Sequence, residues 1–408
     1  MKYILLIGDG MGDLPVPELG NATPLEAADK PAIDRLAREG EMLLVRTVPN
    51  GFPPGSDVAN LSLLGYEPEK YYTGRAPLEA ASMGVAIGPD EIAYRCNLVT
   101  VEYRPAGGII MRDFTAGHIS SSEAAELITA VQRGCGSERF TFHPGISYRH
   151  LLVVKNSAAA PQTVPPHDHT DQDVTGFYRN YLEAGEWREL MTDSAAILSD
   201  HPVNVRRTAR GLRPANSLWP WGEGRPLRLQ PFEERYGIRG SLISAVDLLK
   251  GIGICCGLEI INVEGATGFL DTNYEGKAAA ALEALRDRDF VLVHVEAPDE
   301  AGHQGMVREK VRAIEDFDGR IVRPIVEEME RRAEPFRLVV TMDHYTPICR
   351  RTHEDWPVPM VLYDSRGTAR PAGLAYTEAN AIQAVAGGGL SLASGADFFA
   401  RLLDSGER

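Results

Sequence analysis

The chain has 408 residues, 44% of them hydrophobic and 24% charged, with a formal net charge of −15. That length gives room for two or three domains with a sizeable core, and the acidic balance excludes a general nucleic-acid binder, which needs a basic footprint. It leaves room for a locally basic pocket that takes a small anion, so the arginines are the residues to follow.

Cys96, Cys135, Cys255, Cys256 and Cys349 form no CxxC pair, which points to reduced thiols in a cytoplasmic protein. The N-terminal apolar run is broken at once by Gly8 and Asp9, and no stretch approaches a membrane span, so no membrane partner is expected. Tyr3 to Ile7 reads as a parallel strand buried on both faces. Asp9 stands at its C-terminal edge, where open α/β sheets bind ligands; a turn-forming Asp is the plainer alternative. Thr23 to Gly40 has helical spacing, with Pro24 near its start and Gly40 as the stop. The Pro/Gly-rich segment 51–55 opens into a helix at Ser56. The hydroxyl there is either an N-cap or a nucleophile at the positive end of a helix dipole, and both can hold.

From about Asp90 the pattern changes. Ile92 to Val101 and Gly145 to Val154 read as strands, and Arg149 and His150 within the second are unusual unless they face a site. Ser120 to Val131 and Trp187 to Leu198 read as helices, 165–171 as a solvated polar loop rather than the further metal cluster its His and Asp residues also allow, and 216–224 as an aromatic-rich loop. Alternation resumes near Gly240. Leu242 to Lys250 reads as a helix broken by Gly251 and Gly253, then come strand 259–263, helix 273–288 and the buried strand Phe290–Val295. Val307 to Arg332 is helical with a break expected at Pro324. Phe336 to Met342 and Pro359 to Tyr363 are further strands. Strands alternating with helices imply βαβ units and a mostly parallel sheet.

Four strand ends carry ligand-type residues. Asp299 and His303 are spaced to share one helical face and, with His353, make an Asp/His/His set. Asp9, Asp343 and His344 make a second, with Ser56 nearby. Each residue alone has a bland reading as a cap or a satisfied core histidine. Together at one sheet edge they predict two divalent metal ions, an arrangement suited to phosphoryl transfer.

At these residues the sequence resembles the archaeal-type, cofactor-independent phosphoglycerate mutases of the alkaline phosphatase superfamily. The matching stretches are IGDGMGD, PPGSDVANLSLLGY, YTGRAPLEA, YRCNLVT, AGHIS, GISYRHLLV, ISAVDLLKGIGI, EGATGFLDTNYEGKA, VHVEAPDEAGHQG and TMDHYTP followed by RTHEDWPVP, nearly the whole chain. The resemblance implies an α/β, alkaline-phosphatase-like, mostly parallel sheet with helices on both faces, plus an inserted α/β domain. The metal-binding phosphotransferase domain would be 1–90 and 236–408, and the inserted substrate-binding domain 91–235. It further implies that Ser56 is the nucleophile, passing through a phosphoserine as 3-phosphoglycerate and 2-phosphoglycerate interconvert. Asp299, His303 and His353 would hold one ion; Asp9, Ser56, Asp343 and His344 the other. The ions would be Mn, Zn, Co or Mg, with no 2,3-bisphosphoglycerate. Arg95, Asp113, Arg149 and His150 match positions for the substrate's carboxylate and hydroxyls, as arginine chemistry suits. Lys277 and Arg75 match less closely, with a helix-surface charge and a turn residue as their plainer readings; His118 and His167 are weaker matches still.

One stretch departs from that pattern. Where many archaeal members carry a basic, glycine-rich segment, this chain has Trp219-Pro220-Trp221, with only Arg225 to provide charge. That opens the alternative of a related phosphotransferase or phosphatase acting on another small hydroxy acid, such as homoserine. The partner in either case is a small phosphorylated hydroxy acid, and a homo-oligomer is left open. A mutase must also shield its phosphoenzyme from water, which predicts a hinge near 88–92 and 234–240, at Gly88, Pro89, Gly237 and Gly240.

Overall fold

The computed structural model describes residues 1–105, 107–155 and 161–404. Its strands are, in chain order, β1 (Lys2–Gly8), β2 (Glu41–Val45), β3 (Glu91–Tyr103), β4 (Ile109–Asp113), β5 (Phe140–His143), β6 (Arg149–Lys155), β7 (Ser217–Gly224), β8 (Gly240–Ile243), β9 (Glu259–Ile260), β10 (Phe290–Val295), β11 (Phe336–Thr341), β12 (Val358–Asp364) and β13 (Ser391–Leu392). Two compact units result: Met1–Tyr72 with Arg228–Arg408, and Thr73–Leu227. The divisions fall at 72/73 and 227/228, not at 90/91 and 235/236. Gly88 and Pro89 therefore lie inside the second unit, and Gly237 and Gly240 inside the first, away from its borders.

The first unit is built on an eight-stranded sheet ordered β13-β2-β12-β11-β1-β10-β8-β9. β12 runs antiparallel to both neighbours, and the other pairings are parallel. Every residue of β10 and β11 is buried, as the unbroken apolar sequences require, so both faces of the sheet are covered. Ile7 of β1 lies level with His294 of β10 and with Thr341 of β11. The three strands thus end together, and the segments that follow them carry Asp9, Asp299 and Asp343 to one edge.

Three helix expectations change in detail. The 23–40 segment is two helices, Pro24–Ala27 and Pro31–Glu39, because Pro31 can start a helix but cannot continue one. Residues 240–243 are β8, too short to tell from helix by periodicity, and the helix that follows runs Asp247–Cys255 through both glycines. A Cβ on Gly253 would lie 2.6 Å from Ile260 and 3.3 Å from Leu242, so this glycine lets the helix lie close on the sheet. The break near Pro324 is a π-turn, Asp318–Val322, between helices Val307–Phe317 and Arg323–Arg332.

The second unit holds a five-stranded antiparallel sheet in which β3 pairs with β4, β6 and β7, and β5 pairs with β6. Residues 217–224, expected as a loop, are strand β7. Pro220 is tolerated because β7 pairs only with β3 among the described residues, an edge position where a missing N–H costs nothing. Tyr94, Trp187, Trp219 and Tyr181 fill the core of this unit.

Candidate functional site

The Ser56–Leu63 helix begins directly after Gly55, which is the N-cap; Ser56 is the first helical residue and its hydroxyl is not a cap. Its Oγ lies 3.1 Å from His344 Nε2 and 3.5 Å from Asp9 Oδ2. One turn on, Asn60 Nδ2 donates to Ser56 O and to Asp343 Oδ2, both at 2.9 Å, tying the helix to the β11 end. Gly10 N and His344 N donate to Asp343 Oδ1 at 3.3 and 3.0 Å.

The helix Ala297–Gln304 follows β10 and presents Asp299 and His303 on one face. His303 Nε2 is 3.2 Å from Asp299 Oδ2 and 2.8 Å from His353 Nε2, and His353 Nε2 is 3.4 Å from Asp299 Oδ1. The Asp/His/His set therefore meets at one point. Thr346 donates its hydroxyl to Asp299, and Arg351 O is 3.0 Å from His303 Nδ1, which orients that ring.

The second set comes together too, and His294 lies beside it. His344 Nε2 is 3.6 Å from both Asp9 Oδ1 and Asp343 Oδ2, yet its ring stacks on His353 with centroids 3.9 Å apart. A ring nitrogen of His344 also lies within 4.8 Å of ligand atoms of Asp299 and His353, so His344 borders both sets. The place beside Asp9 and Asp343 is shared by His294, whose Nε2 is 3.0 Å from Asp9 Oδ2. His294 is a residue that sequence reasoning passed over. The available signal was an imidazole inside an otherwise apolar strand, where an unserved polar group is costly.

The electrostatics suit a cation. Among the described residues, Asp9 Oδ1 finds no hydrogen-bond donor in the buried interior. Burial, then the neighbouring Asp343 and Asp299 carboxylates, push the Asp9 carboxyl well above its usual range. Burial also acts on Asp299, but His303 and His353 outweigh it and hold that group well below. Burial lowers His344 to about 4, so its ring is neutral and ready to donate a lone pair. Three buried acids with the neutral His294 and His344 rings at this spacing fit divalent ions, and His303, which burial would lower but Asp299 raises to about 9, would release its proton on joining them.

Lys277 is fully buried and donates to His294 O at 3.0 Å, so it is not a helix-surface charge. Burial, opposed by Glu296, lowers it to about 8. Glu296 itself is raised to about 8 by burial and then by Asp299.

The remaining sequence candidates lie in the second unit. Arg95 is largely but not fully buried, with Nε 3.0 Å from Glu79 Oε1. Burial lowers its guanidinium, Glu79 opposes this, and Arg75 and Arg149 are near enough to lower it further. His167 is lowered by burial and, against Asp168, by the same Arg95 and Arg75. Like charges gathered this way mark a place for an anion. His150 is buried; its Nδ1 accepts from Gly145 N at 3.0 Å, so the neutral ring carries its proton on Nε2, which has no partner. Asp113 is engaged in the fold, accepting from Thr115 N, Thr115 Oγ1 and Gly117 N at 2.7, 2.6 and 3.0 Å and facing Arg213.

A family model described as 2,3-bisphosphoglycerate-independent phosphoglycerate mutase matches residues 37–204. A mutase of that name from Methanosarcina acetivorans is 50% identical over 404 residues, 99% of this chain and 100% of that protein. One from Methanosarcina barkeri is 51% identical over 382 residues, 93% of this chain and 95% of its own. Among solved structures, the PH0037 protein from Pyrococcus horikoshii aligns with a TM-score of 0.80 at 28% identity, covering 99% of this chain and 96% of that one. The cofactor-independent phosphoglycerate mutase from Thermoplasma acidophilum aligns at 0.63 and 27% identity, over 99% and 100%. Fold and donor set together define an α/β enzyme whose centre suits divalent cations. The chain belongs to the 2,3-bisphosphoglycerate-independent phosphoglycerate mutase family.

Proposed function

We propose that the protein interconverts 3-phosphoglycerate and 2-phosphoglycerate through a phosphorylated Ser56, without 2,3-bisphosphoglycerate. The observation that carries this is the placement of Ser56 Oγ, 3.1 Å from His344 Nε2 at the first turn of a helix and beside the buried acid–imidazole cluster. Backbone N–H groups of a first helical turn have no partners within their own helix, so they are available to phosphoryl oxygens. Ser56 Oγ forms a bond to phosphorus as the bond between phosphorus and the substrate's C3 oxygen breaks, and the serine proton passes to that oxygen. The 2-hydroxyl oxygen of the held glycerate then bonds to phosphorus as the phosphorus–Oγ bond breaks, and its proton returns to Oγ.

Asp299, His303 and His353 would hold one divalent ion, and Asp9, Ser56, Asp343 and His344 the other; oxygen and imidazole donors suit Mn, Zn, Co or Mg. Bound there, such ions lower the pKa of the serine hydroxyl and offset charge on the transferring group. Arg75, Arg95, Arg149 and His150 would recognise the carboxylate and hydroxyls of the substrate, and Lys277 the phosphoryl charge. Asp113 holds the turn at 115–117. The first unit would thus carry the phosphotransfer chemistry and the second the selection of substrate. The name shared by the full-length relatives favours the mutase over a homoserine-type phosphotransferase.

The test is a coupled assay from 3-phosphoglycerate to 2-phosphoglycerate with no bisphosphoglycerate added. Turnover restored to the metal-stripped protein by Mn, Co, Zn or Mg is expected. No turnover with any of the four, or a requirement for 2,3-bisphosphoglycerate, would overturn the proposal.

A further inference from the structure

The Trp219-Pro220-Trp221 segment departs from the archaeal pattern and is assigned no role above. In the structure it lies against Arg95. The Arg95 guanidinium stacks over the Trp221 ring with its carbon 4.1 Å from the ring centroid. The two residues are direct cross-strand partners in the β3–β7 pairing. Trp221 is itself fixed. Its Nε1 donates to Asn97 Oδ1 at 3.0 Å, and the His167 ring meets its ring edge-on at 5.3 Å.

The backbone is shaped for this contact. Between Ala93 and Arg95 the β7 partner moves from Gly224 to Trp221, so β7 holds one extra residue there. Such a bulge re-aims the side chains beside it. Gly222, within the bulge, has φ +61, and a Cβ there would lie 3.4 Å from Arg95 Cδ. A left-handed glycine thus lets the strand close on the aliphatic stem of Arg95 while the indole covers its head. A stacked ring fixes the plane of a guanidinium but uses none of its in-plane donors. Glu79 lies 3.0 Å from Nε as a counter-charge, so the indole face supplies the orientation of the plane.

We propose that Trp221 is a positioning residue, holding the Arg95 guanidinium in the plane in which it receives the substrate's carboxylate. This rests on the assignment of Arg95 to substrate binding made above. The bulge, the left-handed Gly222 and the Asn97 hydrogen bond together give this chain an aromatic clamp on Arg95.

Kinetics of Trp221→Ala and Trp221→Phe, with Arg95→Ala and the Trp221→Ala/Arg95→Ala double variant, test this. Trp221→Ala is expected to raise KM for 3-phosphoglycerate about tenfold while kcat changes much less, and Trp221→Phe to recover most of the loss. The two alanine effects on kcat/KM should be strongly non-additive, because one residue acts through the other. Substrate should also change the indole fluorescence of the wild type more than that of Trp221→Phe, in which Trp187, Trp219 and Trp356 remain. Additive effects, or an unchanged KM in Trp221→Ala, would overturn the inference and leave the assignment of Arg95 standing. An unchanged KM in Arg95→Ala would remove that assignment and the inference with it. If Trp221→Ala does not fold, Trp221→Phe and Trp221→Leu decide: only the aromatic replacement should keep KM near wild type, and equal values in the two overturn the inference.

Discussion

At the scale of single residues, the site is a balance of like charges held by a few donors. Ser56 has no role in starting its own helix, since Gly55 is the cap, so its hydroxyl can be removed with little structural loss. Ser56→Ala is therefore expected to lower kcat by at least about 10³-fold with an unchanged circular dichroism spectrum and melting temperature. Activity within tenfold of wild type would remove the serine from the mechanism. His150 offers a second measurement, of stability. Burial lowers its pKa from 6.5 to about 3, and Gly145 N donates to the lone pair that protonation would consume. Between those values the unfolded chain binds a proton that the folded chain does not. The contribution of His150 is thus fully present above about pH 6.5 and is lost as pH falls, by up to about 1.4 kcal/mol per pH unit. Urea midpoints measured from pH 7 to 4 should show this slope, and His150→Gln should reduce it, the remainder coming from the buried His294 and His344.

At the scale of elements, one buried lysine joins the two loops that carry the acids. Lys310 is fully buried in the Val307–Phe317 helix, and its Nζ donates to Gly12 O, Asp13 Oδ2 and Thr346 O at 3.2, 2.8 and 2.8 Å. Asp13 in turn accepts from Ile348 N, and Glu378 accepts from Asp13 N. Lys310→Met leaves a buried carboxylate without its counter-charge, and a loss of about 3–5 kcal/mol is expected in urea unfolding. The Lys310→Met/Asp13→Asn double variant should recover part of that loss; a larger loss would mean that the pair is not the unit of stability. None of this was visible in the sequence, where Lys310 reads as one charge among many on a helix. β1, β10 and β11 were legible because a strand covered on both faces must be apolar throughout, and Asp9, Asp299 and Asp343 because acids directly after such strands stand out. β7 was not, since proline and glycine mark loops locally while only tertiary context makes an edge strand. His294 was hidden for the opposite reason: it sits within a strand whose pattern was otherwise unambiguous. The division of ligands around His344 depends on side-chain directions that spacing does not encode.

At the scale of the whole molecule, the acids of the first unit are expected to make the metal-free protein the less stable form. Asp9, Asp343 and Asp299 are buried within mutual repulsion, and an ion that binds only the folded chain stabilises it by mass action. An ion at about 100 times its Kd adds about 2.7 kcal/mol. Scanning calorimetry of the chelator-treated protein should show a melting temperature about 3–5 °C below that of the Mn-saturated one. If added Mn, Co, Zn and Mg all leave the transition unmoved, the cluster is not a metal centre. Among the described residues no helix is long and apolar enough to cross a membrane.

The central place of β1 also governs how the protein comes into being on the ribosome. Lys2–Gly8 pairs with Phe290–Val295 on one side and Phe336–Thr341 on the other. At ~5–20 residues per second, the first strand emerges roughly 15–65 s before the partners that bury it. During that interval an apolar segment has no native neighbour, so the nascent chain depends on transient protection, and refolding is expected to be slow for want of local contacts. The same delay keeps the cluster incomplete: no shortened product lacking β11 and the residues after it can bring Asp9 and Asp343 together, so an interrupted chain is inert.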